Sequence, residues 1–194
     1  MIPARPSLAV TRALGVWLLL ALVAGMADLP SRLLQPPLPP VLVVALTFVI
    51  LTVALTSVWF RDWLVALDVR ALILVHLTRF VAGLWFLALY GRGVLPYAFA
   101  VPGGVGDMLV ALLAIPVVLA TDARATRRRG LVFAWNLLGF ADILMVVATA
   151  ARIGNADPGA LAALLQLPLV LLPTFLVPII IATHVILFAR LRRP

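Results

Sequence analysis

Apolar residues fill this chain in six long stretches that lack the period-two alternation of half-buried strands. Short groups of Arg, Asp, Pro and Gly separate them. The stretches cover about residues 8–27, 41–60, 70–90, 105–120, 131–151 and 161–189. A helix rising 1.5 Å per residue needs ~20 apolar residues to cross ~30 Å of hydrocarbon. No water is available there for backbone N–H and C=O groups, so a spanning segment is a helix or part of a closed barrel. Continuous apolar runs exclude the barrel. The pattern therefore predicts an all-α, multi-pass integral membrane protein: one domain, a six-helix transmembrane bundle with short loops.

Several stretches carry irregularities. The first ends in Ala24-Gly25-Met26-Ala27, a small-residue run of the kind seen at signal-peptide cleavage sites. Another apolar stretch follows closely, so the segment is read as a retained span. Residues 28–40 contain Pro30, Pro36, Pro37, Pro39 and Pro40, which predicts an extended, rigid connection rather than helix. An interfacial turn is expected over 63–68, before the third span. The fourth stretch is short, and Pro102-Gly103-Gly104-Val105-Gly106 at its start predicts a re-entrant turn, or else a helix completed by part of 95–104. In the sixth, Pro168, Pro173 and Pro178 recur every five residues. Each removes a backbone donor, which predicts a kinked or broken helix.

Charge placement adds orientation. The chain is 65% hydrophobic and 11% charged, with fifteen Arg, seven Asp and neither Lys nor Glu. A soluble domain is about 25% charged. A net charge of +8 would suggest a nucleic-acid partner in a soluble chain. Here the Arg lie between the spans, so the reading is topological and no nucleic acid is expected. With the N-terminus inside, eleven Arg (5, 12, 61, 70, 124, 127, 128, 129, 190, 192 and 193) fall on the cytoplasmic side and Arg32, Arg92 and Arg152 on the other. That is the positive-inside asymmetry of six spans with both termini cytoplasmic, in a cell membrane expected to be a bacterial cytoplasmic one. Trp59 and Trp63 fall at the inner boundary and Tyr90 and Tyr97 near the outer one, as an aromatic belt would have them. The absence of cysteine removes thiolate chemistry and disulfides.

Ionisable groups inside the spans are the candidate chemistry, because they are unfavourable in a bilayer and face a bundle interior or a site. Counting helical rise from the span ends puts His76, His184 and Asn136 in one layer, about 9 Å from the cytoplasmic edge. Arg79 lies deeper, about 13 Å in, and Asp142 about 18 Å in. An Arg79–Asp142 ion pair is expected, with Asp107 as the other candidate partner if the Gly103–Gly106 turn carries it inward. His76, Arg79 and Gly83 share a face of the third span, and Asn136, Gly139 and Asp142 recur every three residues on the fifth. Gly83 and Gly139 suit close helix contacts. Pro173, Pro178, Gly103, Gly104 and Gly106 are the candidate positions for a helix break or gate, since discontinuous helices beside charged groups build many midplane transport sites.

Three functional readings follow. The first, and leading, one is transport or channel activity for a small ion or solute, with Arg79, Asp142, Asp107, Asn136, His76 and His184 along the pathway. A homo-oligomer or partner membrane subunit is then expected beside the lipid bilayer. The second is electron transfer through a b-type haem, with His76 and His184 as axial ligands and Arg79 on a propionate. The third is a structural or accessory subunit, the charges acting only to fix helix order, or an intramembrane enzyme. The enzyme lacks a motif: no Glu for His-Glu-x-x-His, no Gly-x-Ser-x-Gly and no phosphate loop.

Overall fold

A computed structural model describes residues 8–125 and 128–192, except for the Trp59 side chain. Arg5, Arg127 and Arg193 of the topology count and the ring of Trp59 therefore lie outside the described residues. Within them the chain forms nine α-helices and no strand: α1 (Leu8–Met26), α2 (Leu29–Leu33), α3 (Leu38–Thr56), α4 (Val58–Ala66), α5 (Val69–Leu74), α6 (Thr78–Gly91), α7 (Tyr97–Ala120), α8 (Arg129–Ala156) and α9 (Val177–Arg192). A 3₁₀ turn over Val75–Leu77 joins α5 to α6, and a π turn over Leu172–Leu176 leads into α9. Six helical stretches are long and apolar enough to cross a membrane: Leu8–Met26, Leu38–Thr56, Val69–Gly91, Tyr97–Ala120, Arg129–Ala156 and Leu172–Arg192.

Three local expectations are corrected, each involving Pro or Gly. The connection over 28–40 is not extended throughout. Leu29–Leu33 is a helical turn, and α3 begins at Leu38 with Pro39 and Pro40 in its first turn, where a missing N–H has no acceptor to lose. Of the two readings of the fourth span, the structure has the helix completed from 95–104 and not the re-entrant turn: α7 is continuous from Tyr97, with Pro102, Gly103, Gly104 and Gly106 inside it. The glycines serve helix contact, described below, rather than chain reversal. The sixth span begins at Leu172, not near 161. Pro168 stands outside it, Pro173 is in the π turn, and Pro178 is the second residue of α9. A fourth departure involves neither Pro nor Gly: residues 63–68, expected as an interfacial turn, form the end of a separate helix, α4, and its exit.

Two ends of the bundle are fixed by contacts. At the Arg-rich end, the Val69 N–H donates to the Ala123 carbonyl at 2.9 Å. Arg190 Nη1 donates to the Leu64 and Leu67 carbonyls at 3.2 and 2.7 Å, and Arg129 donates to the Leu191 carbonyl. At the opposite end the Tyr90 and Tyr97 rings meet edge to face, 5.7 Å apart. α1 leans on the start of the sixth span: Trp17 Nε1 donates to the Thr174 carbonyl at 2.9 Å, and its ring meets Phe175 at 5.0 Å. This bond adds a side-chain donor to a carbonyl of the π turn.

The core is layered. An apolar cluster near the Arg-rich end joins Leu72 and Ile73, Val110 and Ala114, Val132 and Leu187. A second cluster, at the other end, joins Phe86, Leu95, Phe99, Ala100 and Val146. Between them lie the polar residues: His76 in the 3₁₀ turn, Arg79 on α6, Asp107 on α7, Asn136 and Asp142 on α8, and His184 on α9. Their exposure inverts that of a soluble protein. Arg79 is 1% exposed and His76, Asn136 and His184 are 0% exposed, while Leu55 and Leu119 on the periphery are 77% and 82% exposed. Polar groups inside and large apolar residues outside is the arrangement that hydrocarbon solvent favours.

One capping interaction lies outside the spans. Asp68 accepts the Arg70 backbone N–H at 2.8 Å and its Nη2 at 2.6 Å, starting α5. The side-chain bond to Arg70 holds the Asp68 carboxyl below its ordinary range. A carboxyl depressed on folding stabilises the fold above its unfolded value, near 3.9, and loses that contribution as pH falls through the folded value. Replacing Asp68 by Ala is expected to lower stability by about 1 kcal/mol at pH 7, with the difference from the parent shrinking below about pH 4. Unfolding in detergent micelles across pH checks this; a pH-independent difference would contradict it.

Candidate functional site

The charged centre starts from a close helix crossing. A β-carbon built on Gly83 of α6 would sit 2.5 Å from the Gly104 carbonyl oxygen of α7, and one on Gly104 would sit 2.9 Å from the Gly83 carbonyl oxygen. Glycine at both positions is what lets the two backbones touch. One turn away, that approach places Arg79 beside Asp107: Nε donates to Asp107 Oδ1 at 2.6 Å. Nη2 donates to Asp142 Oδ2 of α8, and Nη1 to the Gly139 carbonyl at 3.0 Å. One guanidinium therefore ties α6, α7 and α8 together. Gly106 is part of the same fit, because a β-carbon there would overlap the Asp142 carboxylate. The expected Arg79–Asp142 pair is present, and Asp107 joins it rather than replacing it. Asp107 is ten residues into α7, about 15 Å along the axis, because the helix begins at Tyr97.

A second polar group adjoins the first through Gly139. The Asn136 amide donates to the His184 carbonyl at 3.0 Å, which leaves its Oδ1 to accept from His184 Nδ1–H at 2.8 Å. The Thr183 hydroxyl donates to the Ile180 carbonyl at 2.8 Å, so its oxygen accepts from His76 Nε2–H at 3.2 Å. Each imidazole is then neutral and in the opposite tautomer to the other, with His76 Nδ1 and His184 Nε2 buried without a partner. The two rings are in contact, centroids 4.2 Å apart and tilted by 47°. A β-carbon on Gly139 would lie 2.7 Å from His184 Cε1, so the glycine that gives its carbonyl to Arg79 also makes room for the imidazole. Trp135 closes the layer, its Nε1 donating to the Val110 carbonyl at 3.0 Å.

This geometry does not fit the haem reading. An iron held by both histidines needs about 2 Å to each nitrogen, with a porphyrin plate between the rings, and rings in mutual contact leave no such gap. Nor do three His or Asp side chains gather as a metal centre among the described residues.

The third component is a cavity of about 370 Å³. Gln35, Asn155, Pro158 and Gly159 line it and are exposed, so it reaches the surface at the end opposite the Arg-rich one. Its wall is apolar, formed by Val43, Ala82, Phe86, Ile143, Val147 and Leu176, and it ends on Arg79 and Asp107, with the exposed Thr78 beside them. Beyond that floor the apolar cluster of Leu72, Ile73 and Val110 fills the bundle. Of the positions expected to break or gate a helix, Pro173 lines the cavity, Pro178 is fully buried, and Gly103 makes an ordinary contact with Val146. The histidines and Asn136 are absent from the lining. Sequence reasoning passed over Thr183 and Trp135 as polar partners, and Phe86, Phe99 and Thr78 as lining; only the position of Thr183, next to a histidine inside a span, offered a signal.

The chain belongs to the family described as Domain of unknown function (DUF8737), whose model matches residues 36–192. That range begins two residues before α3 and takes in every element of the charged centre and the histidine pair. No curated protein and no solved structure matches the chain.

Two outcomes follow from this geometry. Replacing Arg79 by Met leaves two buried carboxylates facing each other and is expected to cost about 3–5 kcal/mol. Adding Asp107→Asn and Asp142→Asn should restore most of that loss in SDS-titrated unfolding; a single variant as stable as the parent would contradict the placement. Nitrogen NMR of ¹⁵N-histidine protein in lipid nanodiscs at neutral pH should show His76 protonated at Nε2 and His184 at Nδ1. Identical tautomers at the two sites would overturn the hydrogen-bond assignment.

Proposed function

We propose that this family member is a membrane carrier that takes a small solute into the cavity and passes it towards the Arg-rich side. In this reading the six apolar helices cross a cell membrane with the Arg-rich end cytoplasmic, as the eleven-to-three Arg placement supports. One observation carries it: the cavity runs from the far surface to Arg79 and Asp107 at the bundle centre, where close packing stops it. An access path that is open on one side, ends at a charged centre and is sealed on the other is half of an alternating-access cycle. The π turn and Pro173 at the cavity wall supply an irregular backbone that a rocking motion can use. The apolar periphery suits lipid, and a second copy or a partner subunit is part of the same proposal.

A structural role is the second reading. It is favoured by the fact that Arg79 already spends its bonds joining α6, α7 and α8. A receptor-like site that binds without transport lies between the two.

Thiol accessibility separates the three, and a chain free of cysteine makes it clean. Ile143→Cys puts a lone thiol in the cavity wall beside the charged centre, at a residue that is 2% exposed. A carrier exposes it in turn to both sides, so a membrane-impermeant methanethiosulfonate should label it in right-side-out and in inside-out vesicles. Labelling from the far side alone would reduce the protein to a binding site. No labelling from either side would leave the structural reading.

A further inference from the structure

We infer that the cavity selects a monocationic amphiphile, an amine or ammonium group on an apolar body, with the cationic head on Asp107. This deepens the carrier reading and rests on it for the claim that the cavity takes a solute.

The body is argued from size and lining. About 370 Å³ lies within the range that holds a drug-sized molecule, and such sites pair a mostly apolar wall with a few placed polar groups. Phe86 and Phe99 both line this wall, their rings 5.0 Å apart at 60°. Aromatic faces accept an apolar chain or ring, and they also attract a cation passing over them.

The head is argued from which donors and acceptors the floor still offers. Arg79 is 1% exposed, and its Nε, Nη1 and Nη2 each donate to a protein oxygen. It is therefore a poor receptor for an anion, although it is the most conspicuous charge in the site. Asp107 is the reverse. Only its Oδ1 is bonded to Arg79, leaving Oδ2 without a hydrogen-bond partner on a 4%-exposed residue that lines the cavity. The formal count is one guanidinium against two carboxylates, a surplus of one negative charge in a region of low dielectric. An unpaired buried charge is strongly unfavourable, and a cation that brings N–H donors offsets it. Among the described residues no other arginine lines the cavity, and its mouth carries the neutral Ser31, Gln35, Asn155 and Gln166. A carboxylate or phosphate ligand would meet the Asp107 carboxylate beside a guanidinium already bonded at all three of its nitrogens; a neutral alcohol would fill the hydrogen bond but leave the charge surplus.

The test compares three probes sharing one body: 4-phenylbutylammonium, 4-phenylbutanol and 4-phenylbutyrate, titrated calorimetrically into the full chain in a non-ionic detergent at pH 7. The ammonium should bind about tenfold or more tightly than the alcohol, with the butyrate weakest. Asp107→Asn should bring the ammonium down to the level of the alcohol, while Asp142 keeps Arg79 paired. Ala82→Trp, which fills the wall and leaves the three charges in place, should abolish binding of all three probes. Alcohol and ammonium binding equally, or butyrate binding most tightly, would overturn the head-group assignment and leave a solute-binding cavity standing. Ammonium binding unchanged in Ala82→Trp would be micelle partitioning and would overturn it too. Binding of none of the probes would overturn the cavity reading and this inference with it.

Discussion

A guanidinium in the middle of an apolar bundle has to be matched on the spot, and the arrangement of α6, α7 and α8 follows from that requirement. Arg79 has one partner in each direction it can reach: Asp107 on α7, and Asp142 with the Gly139 carbonyl on α8. Arg79 is 1% exposed and bonded at all three nitrogens, so the helices must hold their relative positions to within the tolerance of a hydrogen bond. The price is steric, since four glycines stand where any side chain would push a partner away. Gly83 and Gly104 set the α6–α7 separation; Gly106 clears the Asp142 carboxylate; Gly139 clears His184.

The same constraint separates two polar regions that lie at neighbouring depths. The histidine layer is fully buried, enclosed by Trp135, Phe140 and each other's rings, and its hydrogen bonds run to Asn136 and Thr183. The charge centre faces the cavity on one side and this layer on the other, with Gly139 as the shared wall. A solute reaching Asp107 would therefore touch the group whose bonds position three helices. That makes the centre suited to couple occupancy to helix movement, which a charge pair buried in solid packing is not.

How much of this was legible in the sequence depended on the kind of feature. Helix number followed from apolar length, because hydrocarbon leaves a chain few alternatives. Depth along each helix followed from a fixed rise per residue, which is why His76, His184 and Asn136 were expected in one layer, and their side chains do meet. Lateral neighbours are not encoded in that way: depth alone could not say that Arg79 would take both Asp107 and Asp142. The depth of Asp107 is left between a turn and a completed helix for a specific reason. Pro102 and three glycines read as a turn, whereas Pro102 is accommodated within α7 and the glycines are contact residues whose meaning appears only once Gly83 of another helix lies against them. The prolines at 39 and 40 were misread similarly, since a first helical turn lacks the hydrogen bond that proline forfeits. The cavity left no trace in the sequence at all. It is a gap bounded by parts of α2, α3, α6, α7, α8 and the π turn, and no one segment carries a pattern for empty space.

The central claim, that one buried arginine is shared by two carboxylates, is most directly tested by distance. Rotational-echo double-resonance NMR between ¹⁵N-labelled arginine side chains and ¹³C-labelled aspartate carboxylates, recorded in lipid bilayers, reads the pairing without perturbing the fold. The account predicts that Arg79 dephases against two carboxyl carbons at ion-pair distance, one signal lost with Asp107→Asn and the other with Asp142→Asn. An Arg79 signal coupled to no carboxylate, or to one that neither substitution removes, would contradict it.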